Sequence, residues 1–264
     1  MSATATARWI DHARELLGRV VSEQEAELDR AAGLCAEAIG ADGLVHAFGT
    51  GHSRIPVEEL FPRYGSYPGF HPLVELSMTF HTQVAGANGQ RQAMFIERVE
   101  GLAEVILRNF RLGPPDVLLV FSAGGTTAVP IEMARGARER GLAVIAVTSL
   151  AQAQGDAPGP SSPARLADHA DVVLDLCTPV GDALVALPGL DTPVGPGSTL
   201  AAVALANELK VRTAALLHER GVLPPVLTSA AVVGDERSAE LFDAAYDEHA
   251  RRLASRLRTG AEGF

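Results

Sequence analysis

The chain has 264 residues, of which 47% are hydrophobic, and its formal net charge is −10. This length is enough for one large α/β domain or two small ones, and the hydrophobic content argues against disorder. The negative charge argues against a nucleic-acid partner, because such domains usually carry a basic face, but it does not exclude a phosphate ligand held by helix termini.

The cysteines and the N-terminus bear on the cellular compartment. Two cysteines, Cys35 and Cys177, are too few for a disulfide framework and are compatible with a reducing cytosol. The first residues lead into Arg8, Asp11 and His12 rather than into an apolar signal core. Since no run of about 18 apolar residues occurs, we expect no membrane partner and a cytoplasmic protein.

The periodicity of apolar residues predicts helices and strands that alternate along the chain. The first part reads as a long amphipathic helix over 7–39, a strand over 44–48, a short helix over 54–63, a loop over 64–69, a strand near 70–76 and a helix over 91–111. The second part reads as a strand over 117–121, a helix over 127–140, strands over 142–147 and 171–176, a loop over 188–197, and helices over 199–220 and 237–258. This alternation predicts an α/β fold with a doubly wound parallel sheet flanked by helices. We expect one domain over 1–264, with its core over about 30–220 and the two terminal helices as extensions.

Glycine- and hydroxyl-rich turns follow two of the predicted strands. The first turn (residues 49–53, GTGHS) follows the strand over 44–48, and the second turn (residues 122–127, SAGGTT) follows the strand over 117–121. Backbone N–H groups at a helix start favour an anion, glycine permits close approach, and hydroxyl groups add donors. Because ligands of such sheets bind at the carboxyl ends of the strands, the two turns predict a site for a phosphorylated small molecule.

The predicted binding residues come from these turns and from the start of the helix over 199–220. Ser and Thr at such positions can also be simple helix caps, and that reading stays open. The residues expected to contact phosphate or substrate are Gly51, Ser53, Ser122, Gly124, Gly125, Thr126, Thr127 and Ser198.

The second turn, read together with the first, resembles the sugar isomerase (SIS) domain. The usual second turn of that family reads Ser-x-Ser-Gly-x-Thr; Ser122, Gly125 and Thr127 match it, whereas Gly124 replaces the middle serine and removes one hydroxyl donor. The stretches EELF at 58–61 and VPIEMA at 129–134 are similar to a bacterial subgroup of single-SIS, phosphoheptose-isomerase-like proteins. The resemblance implies a flavodoxin-like SIS fold, a sugar-phosphate ligand, and a homodimer or homotetramer with sites near the subunit interfaces.

A second, shorter resemblance bears on the chemistry. Residues 59–65 (ELFPRYG) are similar to the Glu-Cys-Pro-Pro-Thr-Phe-Gly stretch of the N-acetylmuramic acid 6-phosphate etherases. Glu59 then corresponds to a glutamate with an acid or base role in those enzymes, and residues 97–101 lie where they have a second acidic cluster. The etherases remove a proton beside a sugar carbonyl and eliminate the group at C3.

Four residues are therefore candidates for catalysis: Glu59, Glu97, Glu100 and His52. An acid at the start of a short helix, such as Glu59, can simply balance the helix dipole. Glu97 and Glu100 lie three residues apart on one helix face, and such a pair can also belong to a solvated surface. His52 can contact substrate or only pack against its neighbours.

The sequence motifs of metal sites, dinucleotide sites and phosphate loops are absent. The eight histidines show no close metal-ligand spacing, and the cysteines are isolated. The first turn lacks the further glycine of a dinucleotide fingerprint, and no Gly-Lys-Ser/Thr phosphate loop occurs. We therefore expect no metal and no cofactor.

The leading hypothesis is a cofactor-independent sugar-phosphate lyase. It would eliminate water or a C3 substituent from an N-acetylated amino-sugar 6-phosphate after proton abstraction next to the carbonyl. One alternative is an aldose–ketose sugar-phosphate isomerase. The other is a non-catalytic sugar-phosphate sensor that acts through a protein partner.

Overall fold

The central element is a sheet of five parallel strands in a computed structural model that describes residues 8–79, 89–155 and 164–257. The strands are β1 (Val45–Gly49), β2 (Phe70–Leu73), β3 (Val117–Phe121), β4 (Ala143–Thr148) and β5 (Val172–Asp175). Their order is β2-β1-β3-β4-β5, which is the flavodoxin-like arrangement of doubly wound sheets. The predicted fold class is confirmed.

The order of the strands creates a crevice between β1 and β3. The chain leaves β1 towards β2 on one side and then returns to β3 on the other, so the winding direction changes between these two strands. Their register places Gly49 opposite Phe121, and the two strands therefore end side by side. Ligands of open α/β sheets bind at such a switch point, outside the carboxyl ends of the strands.

Helices cover both faces of the sheet. In chain order they are α1 (Trp9–Ser22), α2 (Glu25–Gly40), α3 (Ile55–Leu60), α4 (Leu76–Thr79), α5 (Gly89–Ile96), α6 (Leu102–Leu107), α7 (Ala128–Glu139), α8 (Leu150–Gly155), α9 (Ser198–Glu219), α10 (Ala230–Val233) and α11 (Asp235–Ala254). Short 3-10 helices occupy Gly51–Arg54 and Leu166–His169, and β6 (Ala183–Val185) pairs with β7 (Val194–Pro196) as an antiparallel hairpin. Across the three described ranges, no helix combines the length and apolarity needed to cross a membrane.

Alternating strand residues supply two hydrophobic layers. Ala47 and Leu119 face a layer that includes residues of α2 and α9, whereas Phe48 and Leu118 face a layer that includes residues of α6 and α7. The strands are buried on both faces, which explains why they read as continuous apolar runs. Burying one such large side chain contributes about 1.5–3 kcal/mol.

The structure divides the predicted helix over 7–39 into α1 and α2, with the break at Glu23 and Gln24. The buried Gln24 amide donates to the carbonyl oxygens of Val20 (2.6 Å) and Asp175 (2.7 Å), and its oxygen accepts from the Asp175 N–H (2.7 Å). The break thus attaches the N-terminal helices to the end of β5.

The predicted helix over 91–111 is likewise divided, into α5 and α6. The Glu97 carbonyl oxygen accepts from the Val129 N–H (3.0 Å) at the start of α7. Gly101 has a left-handed backbone (φ +83°), and its N–H donates to a Glu132 carboxylate oxygen (2.8 Å). Two contacts with α7 therefore fix the segment between α5 and α6, and Glu97 lies at its beginning.

Candidate functional site

A cavity of about 500 Å³ lies at the carboxyl ends of β1 and β3. Residues 50–53 of the first turn and 122–127 of the second turn line it, together with parts of α5, α8 and α9. The structure places all the predicted binding residues in its wall: Gly51, Ser53, Ser122, Gly124, Gly125, Thr126, Thr127 and Ser198.

The second turn has a shape that requires glycine. Gly125 has a φ of +63°, and a Cβ atom there would lie 2.7 Å from the Thr148 hydroxyl oxygen. The Gly125 N–H donates to the Ser122 hydroxyl oxygen (3.2 Å), which closes the turn. Thr127 then forms the N-cap of α7, so a helix N-terminus and several hydroxyl groups lie in the same wall of the cavity.

The first turn is equally tight. A Cβ atom at Gly49 would lie 2.3 Å from the Ser53 carbonyl oxygen, and the Ser53 N–H donates to the Thr50 carbonyl oxygen (3.0 Å). Gly51 has a φ of +56°. This compact loop brings His52 and Ser53 into the cavity wall.

Glu97 reaches the same cavity from the end of α5. The Thr50 hydroxyl donates to Glu97 Oε2 (2.6 Å), and the Arg98 guanidinium lies 3.4 Å from Glu97 Oε1. The Glu97 side chain is 17% exposed, and Thr50 is buried. A carboxylate is therefore held in a fixed position beside both turns.

The other two predicted glutamates do not line the cavity. Glu59 accepts hydrogen bonds from Arg63 (3.1 Å) and from the Asn207 amide (3.4 Å), and its carbonyl oxygen accepts from Lys210 Nζ (3.0 Å). The contacts with Asn207 and Lys210 thus attach Glu59 to α9. Glu100 is exposed in the segment between α5 and α6.

Sequence reasoning missed several polar residues of the cavity wall: Gln90, Arg98, Gln152 and Asp182. Gln152 lies in α8, within a stretch rich in Ala and Gly, and its Oε1 atom is buried without a hydrogen-bond partner among the described residues. No motif distinguishes these residues, because the long-range packing of separate elements brings them to the cavity.

Asp182, at the base of the β6–β7 hairpin, binds the N-terminus of α9. Its Oδ1 atom accepts from the N–H groups of Ser198 (2.7 Å) and Gly197 (3.1 Å), and its Oδ2 atom accepts from the Ser198 hydroxyl (2.7 Å). The Ser198 hydroxyl, predicted to contact substrate, is thus bonded to a protein carboxylate.

The cavity wall combines the two glycine- and hydroxyl-rich turns with two carboxylates and the side chains of His52 and Arg98. In the described part of the chain, no group of three or more His, Cys, Asp or Glu side chains is arranged to hold a metal ion. The protein groups present can bind an anion, donate and accept hydrogen bonds, and transfer a proton.

Comparison with known proteins gives the family. The SIS domain model matches residues 8–149. A UPF0309 protein of Streptomyces coelicolor is 35% identical over 229 residues, covering 86% of this chain and 89% of the relative; one of Geobacillus kaustophilus is 31% identical over 244 residues, covering 92% and 90%. The chain therefore belongs to the SIS domain family and to the UPF0309 proteins. Phosphoheptose isomerase of Neisseria gonorrhoeae is 18% identical, with a TM-score of 0.47, over 76% of this chain and 90% of the isomerase.

Proposed function

We propose that this protein is a cofactor-independent aldose–ketose isomerase of a sugar monophosphate, with Glu97 as the base that moves a proton between neighbouring carbons. The observation that carries the proposal is the Glu97 carboxylate, which is fixed at 2.6 Å from the Thr50 hydroxyl in the cavity that both turns line. A phosphate site and a positioned carboxylate in one cavity are the two parts that this reaction needs.

The phosphate binds the second turn. Hydroxyl groups of Ser122 and Thr127 and the backbone N–H groups at the start of α7 donate to its oxygens, and the helix dipole favours its charge. Such charge-assisted hydrogen bonds are roughly twice as strong as neutral ones. Anchoring at one end orients the reacting carbons, and correct orientation can lower a barrier by about 7–11 kcal/mol.

Glu97 then performs the proton transfer. In the open-chain aldose its carboxylate removes the proton from C2, the C2–H electron pair forms the C1=C2 bond, and the carbonyl oxygen takes up a proton from solvent water to give an enediol. The C2 hydroxyl of the enediol then gives its proton to solvent water as the C2=O bond forms, and the protonated Glu97 returns a proton to C1 to give the ketose. The Thr50 hydrogen bond holds the carboxylate in place for both steps.

The position of Glu59 is the reason for preferring isomerisation to elimination as the proposed reaction. The expectation of elimination rested on the similarity between residues 59–65 and the etherases, but the Glu59 carboxylate is engaged by Arg63 and Asn207 outside the cavity. Elimination is the second candidate because His52 lines the cavity and can supply the acid for a leaving group at C3. A sensor would bind the same ligands without moving a proton.

Two matched variants test the proposal. The protein and its Glu97→Gln and Glu59→Gln variants are incubated with a panel of hexose and hexosamine phosphates, and products are followed by proton NMR. Glutamine keeps the size of the side chain but cannot take up the proton, so Glu97→Gln should lower turnover by ~10²-fold or more. Glu59→Gln should keep nearly the full rate. Loss of activity in Glu59→Gln with full activity in Glu97→Gln would assign the base to Glu59 instead.

A further inference from the structure

Asp182 occupies the position that an anion would take at the N-terminus of α9. This helix has 22 residues, and its first N–H groups and first hydroxyl are at the cavity wall. The Asp182 carboxylate accepts three hydrogen bonds there, two from N–H groups of Gly197 and Ser198 and one from the Ser198 hydroxyl. A protein carboxylate therefore already satisfies the donors that would otherwise attract a phosphate.

The backbone holds this carboxylate firmly. Asp182 has a left-handed conformation (φ +68°), which aspartate tolerates better than most residues. The Gly197 N–H also donates to the Asp182 carbonyl oxygen (3.1 Å), so both the main chain and the side chain of Asp182 are bonded to the start of α9. A ligand would have to break all of these contacts to displace the carboxylate.

We infer that Asp182 is a specificity-determining residue that restricts the substrate to sugars with a single anionic group. This inference rests on the proposed function, in which the one phosphate binds the second turn. The rest of the ligand then shares the cavity with the carboxylates of Asp182 and Glu97. A second phosphate or a sugar carboxylate would meet like charges, and like charges that are close together repel strongly in a partly desolvated site.

Neutral groups meet no such penalty. A carboxylate has about four acceptor positions, and the contacts to Gly197 and Ser198 use three of them. One position on Asp182 is left for a hydroxyl or amino group of the ligand. Arg98 pairs with Glu97 and offsets that charge, so the repulsion comes mainly from Asp182, which has no cationic partner among the described residues. The substrate class is thus a neutral or amino sugar monophosphate, and bisphosphates and phosphorylated sugar acids are rejected.

Asp182→Asn is the variant that removes the negative charge and little else. Asparagine has the same size, its oxygen can accept from the two N–H groups, and its amide can donate to the Ser198 hydroxyl oxygen. Binding is measured by calorimetry with glycerol 3-phosphate and 3-phosphoglycerate. Glycerol 3-phosphate has a neutral hydroxymethyl group where 3-phosphoglycerate has a carboxylate, and neither probe contains a sugar ring. The wild-type protein should bind glycerol 3-phosphate on the order of tenfold more tightly, and Asp182→Asn should abolish most of that difference.

Asp191→Asn is the matched control, because it removes the same charge from an exposed position of the β6–β7 loop outside the cavity wall. It should keep the wild-type preference. An unchanged preference in Asp182→Asn, or a wild-type protein that binds both probes equally, would overturn this inference but would not contradict the proposed function. Inorganic phosphate is titrated first: if neither it nor glycerol 3-phosphate binds the wild-type protein, the proposed phosphate site itself fails and the inference fails with it.

Discussion

Glu97 and Asp182 are two carboxylates in one cavity, and their hydrogen bonds suit them to different tasks. Glu97 accepts one short hydrogen bond, from Thr50, and lies 3.4 Å from the Arg98 guanidinium. Both Asp182 oxygens are engaged by the start of α9. Glu97 therefore keeps the acceptor positions that the proposed base needs, whereas the contacts of Asp182 suit the fixed negative charge that we infer for it.

Phosphate affinity should depend on the hydroxyl groups of the second turn. We expect Ser122→Ala combined with Thr127→Val to weaken sugar-phosphate binding by about 3–6 kcal/mol, because the two hydrogen bonds to a charged group contribute ~1.5–3 kcal/mol each. Calorimetry measures the affinity, and circular dichroism checks that the fold is intact.

Ser229→Ala is the control for this pair. The Ser229 hydroxyl caps α10 at the Ala231 N–H, outside the cavity wall, so its loss should not change phosphate affinity. Unchanged affinity in the folded Ser122→Ala, Thr127→Val double variant would show that the phosphate binds elsewhere.

Local sequence identifies the two turns of the cavity wall but not the position of Glu97 beside them. Ser122 and Thr127 are recognisable because glycines and hydroxyls follow an apolar run within a few residues. Glu97 and Thr50 are 47 residues apart, and only the packing of α5 against the first turn brings them together. The short similarity around Glu59 points to a residue outside this cavity wall, because such a similarity does not determine the direction of the α3 side chains.

At the scale of elements, buried strands and amphipathic helices are predictable, but helix breaks depend on distant contacts. The continuous run of apolar residues in β3 is enough to predict this strand. The break between α1 and α2 depends on Gln24 and its bonds to Asp175, 151 residues further along the chain. The β6–β7 hairpin was missed because its strands have only three residues each and contain or adjoin glycine and proline.

The C-terminal helix α11 is attached to the sheet through a buried polar cluster. His46 and His71 contact each other through their Nδ1 atoms (2.9 Å), His46 Nε2 lies 3.4 Å from Asp116, and Asp116 also pairs with Arg256 (2.7 Å). The rings of His71 and His249 are neighbours. Burial lowers the pKa of His71 to about 3, with further lowering by His46 and His249, and burial also lowers the pKa of His249.

These shifts predict that acid destabilises the protein. A histidine that stays neutral when folded but has a pKa of about 6.5 when unfolded contributes stability above that pH, and the contribution is lost as the pH falls towards the folded pKa. Between pH 7 and pH 5 the free energy of unfolding should fall by about 2 kcal/mol because of His71, and His249 should add to the fall. Urea unfolding at the two pH values measures this fall.

His249→Phe should reduce the dependence on pH, because phenylalanine keeps an aromatic ring beside Phe61 and His71 and binds no proton. His218→Asn removes an exposed histidine of α9 and should leave the dependence unchanged. Equal stability of the wild-type protein at pH 7 and pH 5 would contradict this account of the cluster.

At the scale of the whole molecule, the alternation of strands and helices predicts the doubly wound sheet, and the strand order then fixes where the cavity lies.

The expectation of an oligomer has a different basis. In sequence it rests on the family resemblance. The long apolar helix α9 packs against α1, α2 and α3 within the same chain. A group of large exposed apolar side chains lies on α4, on α5, on α6 and in the segment between α5 and α6: Leu76 (68% exposed), Phe95 (72%), Val99 and Val105.

We therefore propose a homo-oligomer whose contact surface includes α4 to α6. Light scattering of the wild-type protein should give a multiple of the 27.6 kDa chain mass. Phe95→Glu should lower that mass by placing a charge in the contact, whereas Val232→Glu, at an equally exposed position of α10, should not. A wild-type protein that is monomeric at micromolar concentration would contradict the proposal.

Exchange of the C2 hydrogen with solvent deuterium is the most direct test of the central claim, that Glu97 removes a proton beside the carbonyl of a bound sugar phosphate. The sugar phosphate that the turnover screen identifies is incubated with protein in deuterated water, and loss of its C2 proton signal is followed by NMR. The wild-type protein should catalyse exchange, and Glu97→Gln should slow it by ~10²-fold or more while phosphate binding is retained. Exchange at the wild-type rate in Glu97→Gln, or turnover with no solvent deuterium in substrate or product, would contradict the account.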